Sequence, residues 1–531
     1  MDEEAASDHA FLQSPDFKRM LQCEELVDSL SDENFEIIMK SCIDFLNSSS
    51  IHIFARTLLS KIYTNTNKID FYLNFLKKHD EVQRKNNSQV ILIPSFVKAL
   101  FHQQISPNLS TIGLVDQCCP QFVIQKLLNL KIIDQKQLES NDKCLTDLYG
   151  HKYDAIYFMH LLDLKNDSEN KQIQLEFNQI CMSNDFIRRN FSALSKNNFE
   201  LHKKLTTSGE NPDPLSHILR TDNLEKFQKY LSKNSIKLDS KISSSIYESN
   251  KLVRNCQLIE FCAFFGSFNC FNFLLNNGVK PTEKLPHFAI AGGDQRIIEL
   301  IDSLPNVSFR GSLPYSIAFH RYNLFKWLFE AKHETIDSAS LSTNCIFYCS
   351  FKEMRELLIK GCNPSFFLES AAQFNFIEVV KMFLQMSQIQ PDIVMNGCTP
   401  LIYASMNNNF EMARILIELG NADINFADSK GYTSLHYACK NGNIGLTRYL
   451  LEKSEIYPDE KADTFNYTPL ALACIYNHFD IVDIFLERED INFKAALISI
   501  KNSGIGSISY IVQKLELDEN SINFDDSEDD L

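Results

Sequence analysis

Apolar positions along this 531-residue chain fall in short runs at helical spacing, separated by polar breaks. The pattern is sharpest toward the C-terminal end. There, "GCTPLIYASMNNNFEMARILIELG" (397–420), "GYTSLHYACKNGNIGLTRYLLEKS" (431–454) and "NYTPLALACIYNHFDIVDIFLERE" (466–489) superimpose without gaps. A leucine recurs at Leu401, Leu435 and Leu470, and an alanine at Ala404, Ala438 and Ala473. An apolar pair recurs at 415–416, 449–450 and 484–485. Steps of 34 and 35 residues mark an internal repeat.

Each unit predicts two short antiparallel helices. Thr399, Thr433 and Thr468 stand where a side chain caps the first helix. Pro400 and Pro469 take the first helical position, where a missing N–H costs nothing. Leu and Ala three residues apart lay a narrow apolar stripe on that helix. A turn at "NN", "NG" (with Gly442) or "YN" follows, and the second helix carries helical apolar spacing, as in "FEMARILIELG". Neither helix can bury its stripe alone, so neighbouring units must stack.

Weaker copies run upstream. "LESAAQFNFIEVVKMFLQ" (368–385) places Ala371 33 residues before Ala404. "CIFYCSFKEMRELLIKG" (345–361), "YSIAFHRYNLFKWLFE" (315–330), "FAIAGGDQRIIELIDS" (288–303) and "IEFCAFFGSFNCFNFLLNNG" (259–278) keep the two-helix rhythm at shorter spacing, and "DPLSHILRTDNLEKFQKYLSKN" (213–234) begins it. Residues 16–205 also read as helical, with a capped start at "SDENFE" and with "FVIQKLLNLKII" (122–133) and "YDAIYFMHLLDL" (153–164) resembling second helices of degenerate units. "SKNNFELHKKLTTSGENPDP" (195–214) reads as a linker. "NFKAALISIKNSGIGSISYIVQKLEL" (492–517) predicts two short helices closing the array.

These segments resemble ankyrin repeats, whose pattern is Thr-Pro-Leu-His-x-Ala, a glycine turn, a second helix ending in Leu-Leu, then Gly-Ala-Asp-x-Asn and a β-turn. "ELGNADINFADSKGYTSLHYACKNGN" (418–443) matches nearly position for position, with Asn421 inserted after Gly420 and Ser434 where proline is usual. Through "AIAGGDQRIIELI" and "YSIAFHRYNLFKWL", residues 213–365 are similar to an ankyrin-related domain of unknown function that precedes regular repeats in protein expansions of certain protists. The resemblance implies an all-α fold: an ankyrin-repeat α-solenoid of stacked helix-turn-helix units with short β-turn fingers, preceded by a helical N-terminal region. The expected parts are an acidic tail (1–15), the helical region (16–205, either separate or continuous with the array) and degenerate repeats (213–365). Regular repeats (366–490), a helical cap (491–517) and a second acidic tail (518–531) complete the chain.

Composition narrows the function. Only 16 Gly and 15 Pro argue against a turn-rich all-β design, and a net charge of −16 repels phosphate backbones, so no nucleic-acid partner is expected. Ser527, with acids on both sides, is a candidate acceptor for an acidophilic kinase. Fifteen dispersed cysteines without a C-x-x-C pair read as free thiols in a reducing compartment, cytoplasmic or nuclear. The most apolar run, "VILIPSFVKALF" (90–101), is too short to span a bilayer, so no membrane association is expected. A monomer is the expected state.

His436 and Cys439 raise the question of chemistry. A structural zinc needs four ligands, and no matching cluster lies nearby in sequence. A cysteine nucleophile needs a base and an electropositive pocket, and the His/Cys pairing does not recur in the other units. The resemblance instead makes His436 the repeat histidine, while Cys439 fills a core position. Cys345 and Cys349 also read as core, and "AGGD" (291–294) lacks the strand-to-helix setting and the basic residue of a phosphate loop. No catalysis, cofactor or metal is expected.

Function then falls to the surface. The frame is Thr399, Pro400, Leu401, Ala404, Thr433, Leu435, His436, Ala438, Gly442, Thr468, Pro469, Leu470 and Ala473. Residues that vary between units on the finger and first-helix side are candidates for holding a protein partner: Cys398, Tyr403, Met406, Asp428, Lys430, Tyr432, Tyr437, Lys440, Asn441, Tyr467, Ile475 and Tyr476. The expected role is a non-catalytic scaffold. Its alternative is a substrate-recruiting adaptor, for example of a ubiquitin ligase, docked through the N-terminal half; an enzyme within 16–205 is a third reading.

Overall fold

The periodic runs fold as helices wherever the structure describes them. The computed structural model describes residues 12–31, 33–46, 50–64, 68–85, 92–102, 120–130, 132, 194, 196–245, 247–332, 337–386, 389–395, 397–464, 466–503 and 513–514. Ser527, the second acidic tail, residues 1–11 of the first, the stretch 153–164 and all of the second cap helix except residues 513–514 lie outside them. Among the described residues β-structure is confined to isolated antiparallel bridges, Lys241–Gln257, Met395–Cys398 and Ala462–Tyr467. The all-α expectation therefore stands.

Contacts divide the chain into two compact units, residues 18–356 and residues 357–531 together with 1–17. In the first are α1 (Pro15–Asp28, which starts just before it), α2 (Phe35–Phe45), α3 (Ser50–Thr64), α4 (Ile69–Lys85), α5 (Leu92–His102), α6 (Pro120–Asn129) and α7 (Lys196–Ser208). Then come the pairs α8 (Pro214–Arg220) and α9 (Leu224–Asn234), α10 (Leu258–Phe265) and α11 (Phe268–Asn276), and α12 (Leu285–Gly292) and α13 (Gln295–Asp302). α14 (Leu313–Ala318) pairs with α15 (Tyr322–Ala331), and α16 (Ser338–Phe347) precedes α17 (Phe351–Ile359), which crosses the boundary. First helices α8, α10, α12, α14 and α16 pack each on the next, and α9, α11 and α13 do the same behind them.

The second unit repeats the scheme with α18 (Pro364–Gln373), α19 (Ile377–Phe383), α20 (Pro400–Met406), α21 (Phe410–Glu418), α22 (Ser434–Lys440), α23 (Ile444–Leu451), α24 (Pro469–Ile475), α25 (Phe479–Leu486) and α26 (Phe493–Ser503). First helices α18, α20, α22 and α24 stack in chain order, and α26 closes the stack against α24. The stripe residues Leu401, Leu435, Leu470, Ala404, Ala438 and Ala473 are fully buried. Burial of each leucine contributes roughly 1.5–3 kcal/mol, so apolar stacking is what chiefly holds the units together. Thr399 and Thr468 accept the N–H groups of Ile402 at 3.3 Å and Ala471 at 3.2 Å, as caps.

One backbone feature recurs in every helix pair. Between its two helices a single residue takes positive φ: Asp222, Gly266, Gly293, His320, Cys349, Asn375, Asn408, Gly442 and Asn477. The left-handed turn is thus shared by degenerate and regular units, whatever residue supplies it. It suits Gly and Asn, and costs other residues roughly 1–2 kcal/mol. His320 and Cys349 are the least suited, and both meet helix α3. His320 Nε2 lies 2.9 Å from Ser60 Oγ and its Nδ1 lies 3.3 Å from Ser350 Oγ, while Cys349 meets Thr57.

Two local expectations differ. The proposed linker at 195–214 is mostly α7, because His202 and Thr206 are buried there, with His202 Nδ1 3.0 Å from Tyr247 Oη. The irregular connection shrinks to residues 209–213. At "SDENFE", Asn34 precedes α2 without capping it; its Oδ1 accepts from Ser31 N–H and Oγ–H, both at 2.8 Å.

Candidate protein-binding surface of the regular repeats

The finger between α21 and α22 is built around Asp428. Its Oδ1 accepts the N–H groups of Lys430 at 2.8 Å and Tyr432 at 2.9 Å, and its Oδ2 accepts Tyr437 O–H at 2.7 Å. Gly431 at φ +84° completes the turn, and a side chain there would press on the Ala462 backbone of the next finger at 3.2 Å. Asp463 takes the equivalent place one repeat on. It donates its N–H to Lys430 O at 2.7 Å and accepts Tyr432 O–H at 3.4 Å. Successive fingers are therefore bonded to each other. Asp463 was not among the residues singled out from sequence, although its 35-residue step from Asp428 signals it.

His436 ties the same two repeats from inside. Its Nδ1 accepts Thr433 N–H at 3.1 Å and faces Thr433 Oγ1 at 2.9 Å, so its Nε2–H donates to Tyr467 O at 3.1 Å. Burial lowers its pKa to about 4, keeping the ring neutral. Both nitrogens are engaged in structural bonds. Cys439 is fully buried, which pushes its thiol far up. His436 and Cys439 are thus both buried between the stacked helices. Among the described residues no group of three or more His, Cys, Asp or Glu side chains could hold a metal ion.

Two repeats before His436, the matching position carries Glu369. This carboxyl is buried, with Ser370 O–H 3.4 Å from Oε2 and Oε1 without a hydrogen bond. Burial raises its pKa to about 8.

The candidate residues separate by exposure. Met406 (42% exposed) and Tyr476 (46%) present apolar area to solvent. Lys440 lies between two rings, with Nζ 5.8 Å from the Tyr432 centroid and 5.7 Å from that of Tyr476. Lys430 is exposed, and Cys398, Tyr403, Asp428, Tyr437 and Ile475 are partly so. Tyr432 and Tyr467 keep only 7% and 8% exposure and belong mostly to the packing. Asn441, exposed on its turn, also has a structural role. Its Nδ2 donates to Ser405 O at 3.2 Å and Met406 O at 3.1 Å, tying its turn to the end of α20.

A family model described as ankyrin repeats matches in three copies, over residues 339–428, 368–462 and 419–495. Residues 339–495 of the chain are ankyrin repeats. Among similar proteins, mouse Rabankyrin-5 is 30% identical over 116 residues, covering 19% of this chain and 10% of that protein. Mouse protein phosphatase 1 regulatory subunit 27 is 32% identical over 90 residues, 17% of this chain and 57% of its own length. A putative ankyrin repeat protein of Rickettsia bellii is 39% identical over 80 residues, 14% of this chain and 47% of its own. The chain thus spans a tenth of Rabankyrin-5 and about half of the two shorter relatives. Ankyrin repeats are a scaffold for protein–protein interaction, and this chain carries them in residues 339–495. No described helix is long and apolar enough to cross a membrane.

Proposed function

We propose that the regular ankyrin repeats are a non-catalytic scaffold that holds a protein partner on the concave face formed by finger tips and first helices. The observation that carries this is the exposure of Met406 and Tyr476 at the ends of first helices of the stack, with half-buried Lys440 against the Tyr476 ring and Tyr437 bonded to Asp428. These side chains combine apolar area, an aromatic ring and both charges, the mixture from which interface anchors are drawn. The name of the phosphatase regulatory subunit supports a role in directing another protein. The described cysteines, mostly buried in apolar packing, support a reducing, cytoplasmic or nuclear setting.

The test is affinity capture and cross-linking mass spectrometry on the full chain, comparing wild type with Met406→Ala/Tyr476→Ala. Both side chains are exposed, so the double variant keeps the fold. Loss of two anchors should weaken capture by at least about tenfold. Undiminished capture would place the partner elsewhere. The adaptor alternative gains support from the division into two compact units. It requires a second set of partners cross-linked within residues 18–356, and cross-links confined to the regular repeats would remove it.

A further inference from the structure

Within residues 18–356, helix α3, the residue opening α4 and the turns of the degenerate repeats enclose a cavity of about 380 Å³. Four cations line it, Lys61, Lys68, Arg220 and Arg321, against two carboxylates, Asp28 and Glu248. Both carboxylates are already committed. Asp28 pairs with Lys61 and Lys352, each at 2.5 Å. Glu248 pairs with Arg220 at 2.5 Å and accepts Asn250 N–H at 3.3 Å. The lining therefore keeps an excess of two positive charges, in a chain whose net charge is −16.

The arginines are fixed in place. Arg220 lies over the Phe265 ring at 4.0 Å, and its buried Nε has no hydrogen bond. Arg321 donates from Nε at 3.2 Å to Ala291 O, and from Nη2 at 3.1 Å to Ala291 O and 2.7 Å to Gly292 O. Of the glycines of "AGGD", Gly293 makes room for Arg321 and Gly292 for the backbone of α10. A Cβ on Gly292 would meet Phe264 O at 2.5 Å, and one on Gly293 would meet Arg321 Nε at 2.8 Å. The motif that lacked a basic residue in sequence acquires one from the next repeat. His320 in the same lining has its pKa held low, first by burial and then by the field of Lys61.

We propose that this cavity binds a small molecule carrying two or more phosphate groups. The ammonium groups and the guanidinium N–H groups not spent on Glu248, Ala291 O and Gly292 O suit phosphate oxygens, and the volume falls in the ordinary range of ligand sites, roughly 300–1,000 Å³. Lys61 lies in α3 and Lys68 just before α4, whereas Arg220 ends α8 and Arg321 lies between α14 and α15. A bound polyphosphate bridges these segments, so binding stabilises their packing.

The test uses the full chain in calorimetric titration and thermal unfolding with three probes: pyrophosphate, ATP and inositol hexakisphosphate. Sodium sulfate at matched ionic strength serves as the reference. The expected result is saturable binding of at least one probe, with a rise in Tm that sulfate does not give. The probe preferred identifies the scaffold bearing the phosphates. Lys68 is exposed at the cavity mouth, so Lys68→Glu leaves the unliganded Tm unchanged and weakens binding by at least about tenfold. Lys229→Glu, an exposed reversal outside the lining, leaves binding intact. Saturation by none of the three probes overturns the proposal. So does equal weakening by both variants, which would reduce the effect to general charge.

Discussion

Replacing His436 by leucine tests the inter-repeat tie directly. The change keeps an apolar side chain at a buried position but deletes the acceptor for Thr433 N–H and the donor to Tyr467 O. Thr433 N–H is left without its acceptor, whereas Tyr467 O keeps Ala462 N–H at 2.8 Å, so a loss of about 1–3 kcal/mol is expected at pH 7.5. The pH dependence provides a second reading. The ring's pKa falls from 6.5 to about 4 on folding, through burial. Between those values the unfolded chain takes up a proton that the native ring refuses. The stabilisation is therefore complete above pH 6.5 and drains away as pH falls toward 4. At about 1.36 kcal/mol per unit, its ceiling is roughly 3 kcal/mol. Urea unfolding of the full chain at pH 7.5, 6 and 5, with hydrogen exchange of peptides spanning 431–480, reads both effects. The variant should start lower and show the flatter profile. Parallel profiles, or a ring titrating near 6.5 by NMR, would refute the buried neutral histidine.

Glu369→Gln should act in the opposite pH direction. The native carboxyl, at about 8, holds a proton that the unfolded chain releases near 4.5, so this site's contribution is full below 4.5 and lost as pH rises through 8. The variant should be more stable than wild type at pH 8, by up to about 4 kcal/mol, and close to it at pH 4.5. Melting curves with a constant difference at both pH values would contradict the assignment. Thiol alkylation supplies a separate check. Cys398 is half-buried with its pKa pushed up to about 11, while the other described cysteines are buried. Iodoacetamide at pH 8 should modify Cys398 before Cys439, as read by peptide mass spectrometry; equal rates would mean that the stack opens locally.

The 34- and 35-residue steps of Thr, Leu and Ala were enough, without any structure, to give helix pairs, their stacking and the ankyrin frame, because each position must meet the same neighbour in every repeat. The helix pairs upstream were legible for the same reason: helical spacing survives when identities drift. Register alone also pointed to His436 as frame. What lay beyond the sequence was whatever depends on groups distant along the chain. Nothing local in Tyr432 shows that Asp463 and the next finger will cover it, or that Asn441 will bond the end of α20. Nor does "AGGD" disclose Arg321, which arrives 27 residues after Asp294 and becomes its neighbour only when helix pairs stack. The repeat period, a one-dimensional property, was written in the sequence, whereas exposure, charge balance and the cavity arose only when units were brought face to face.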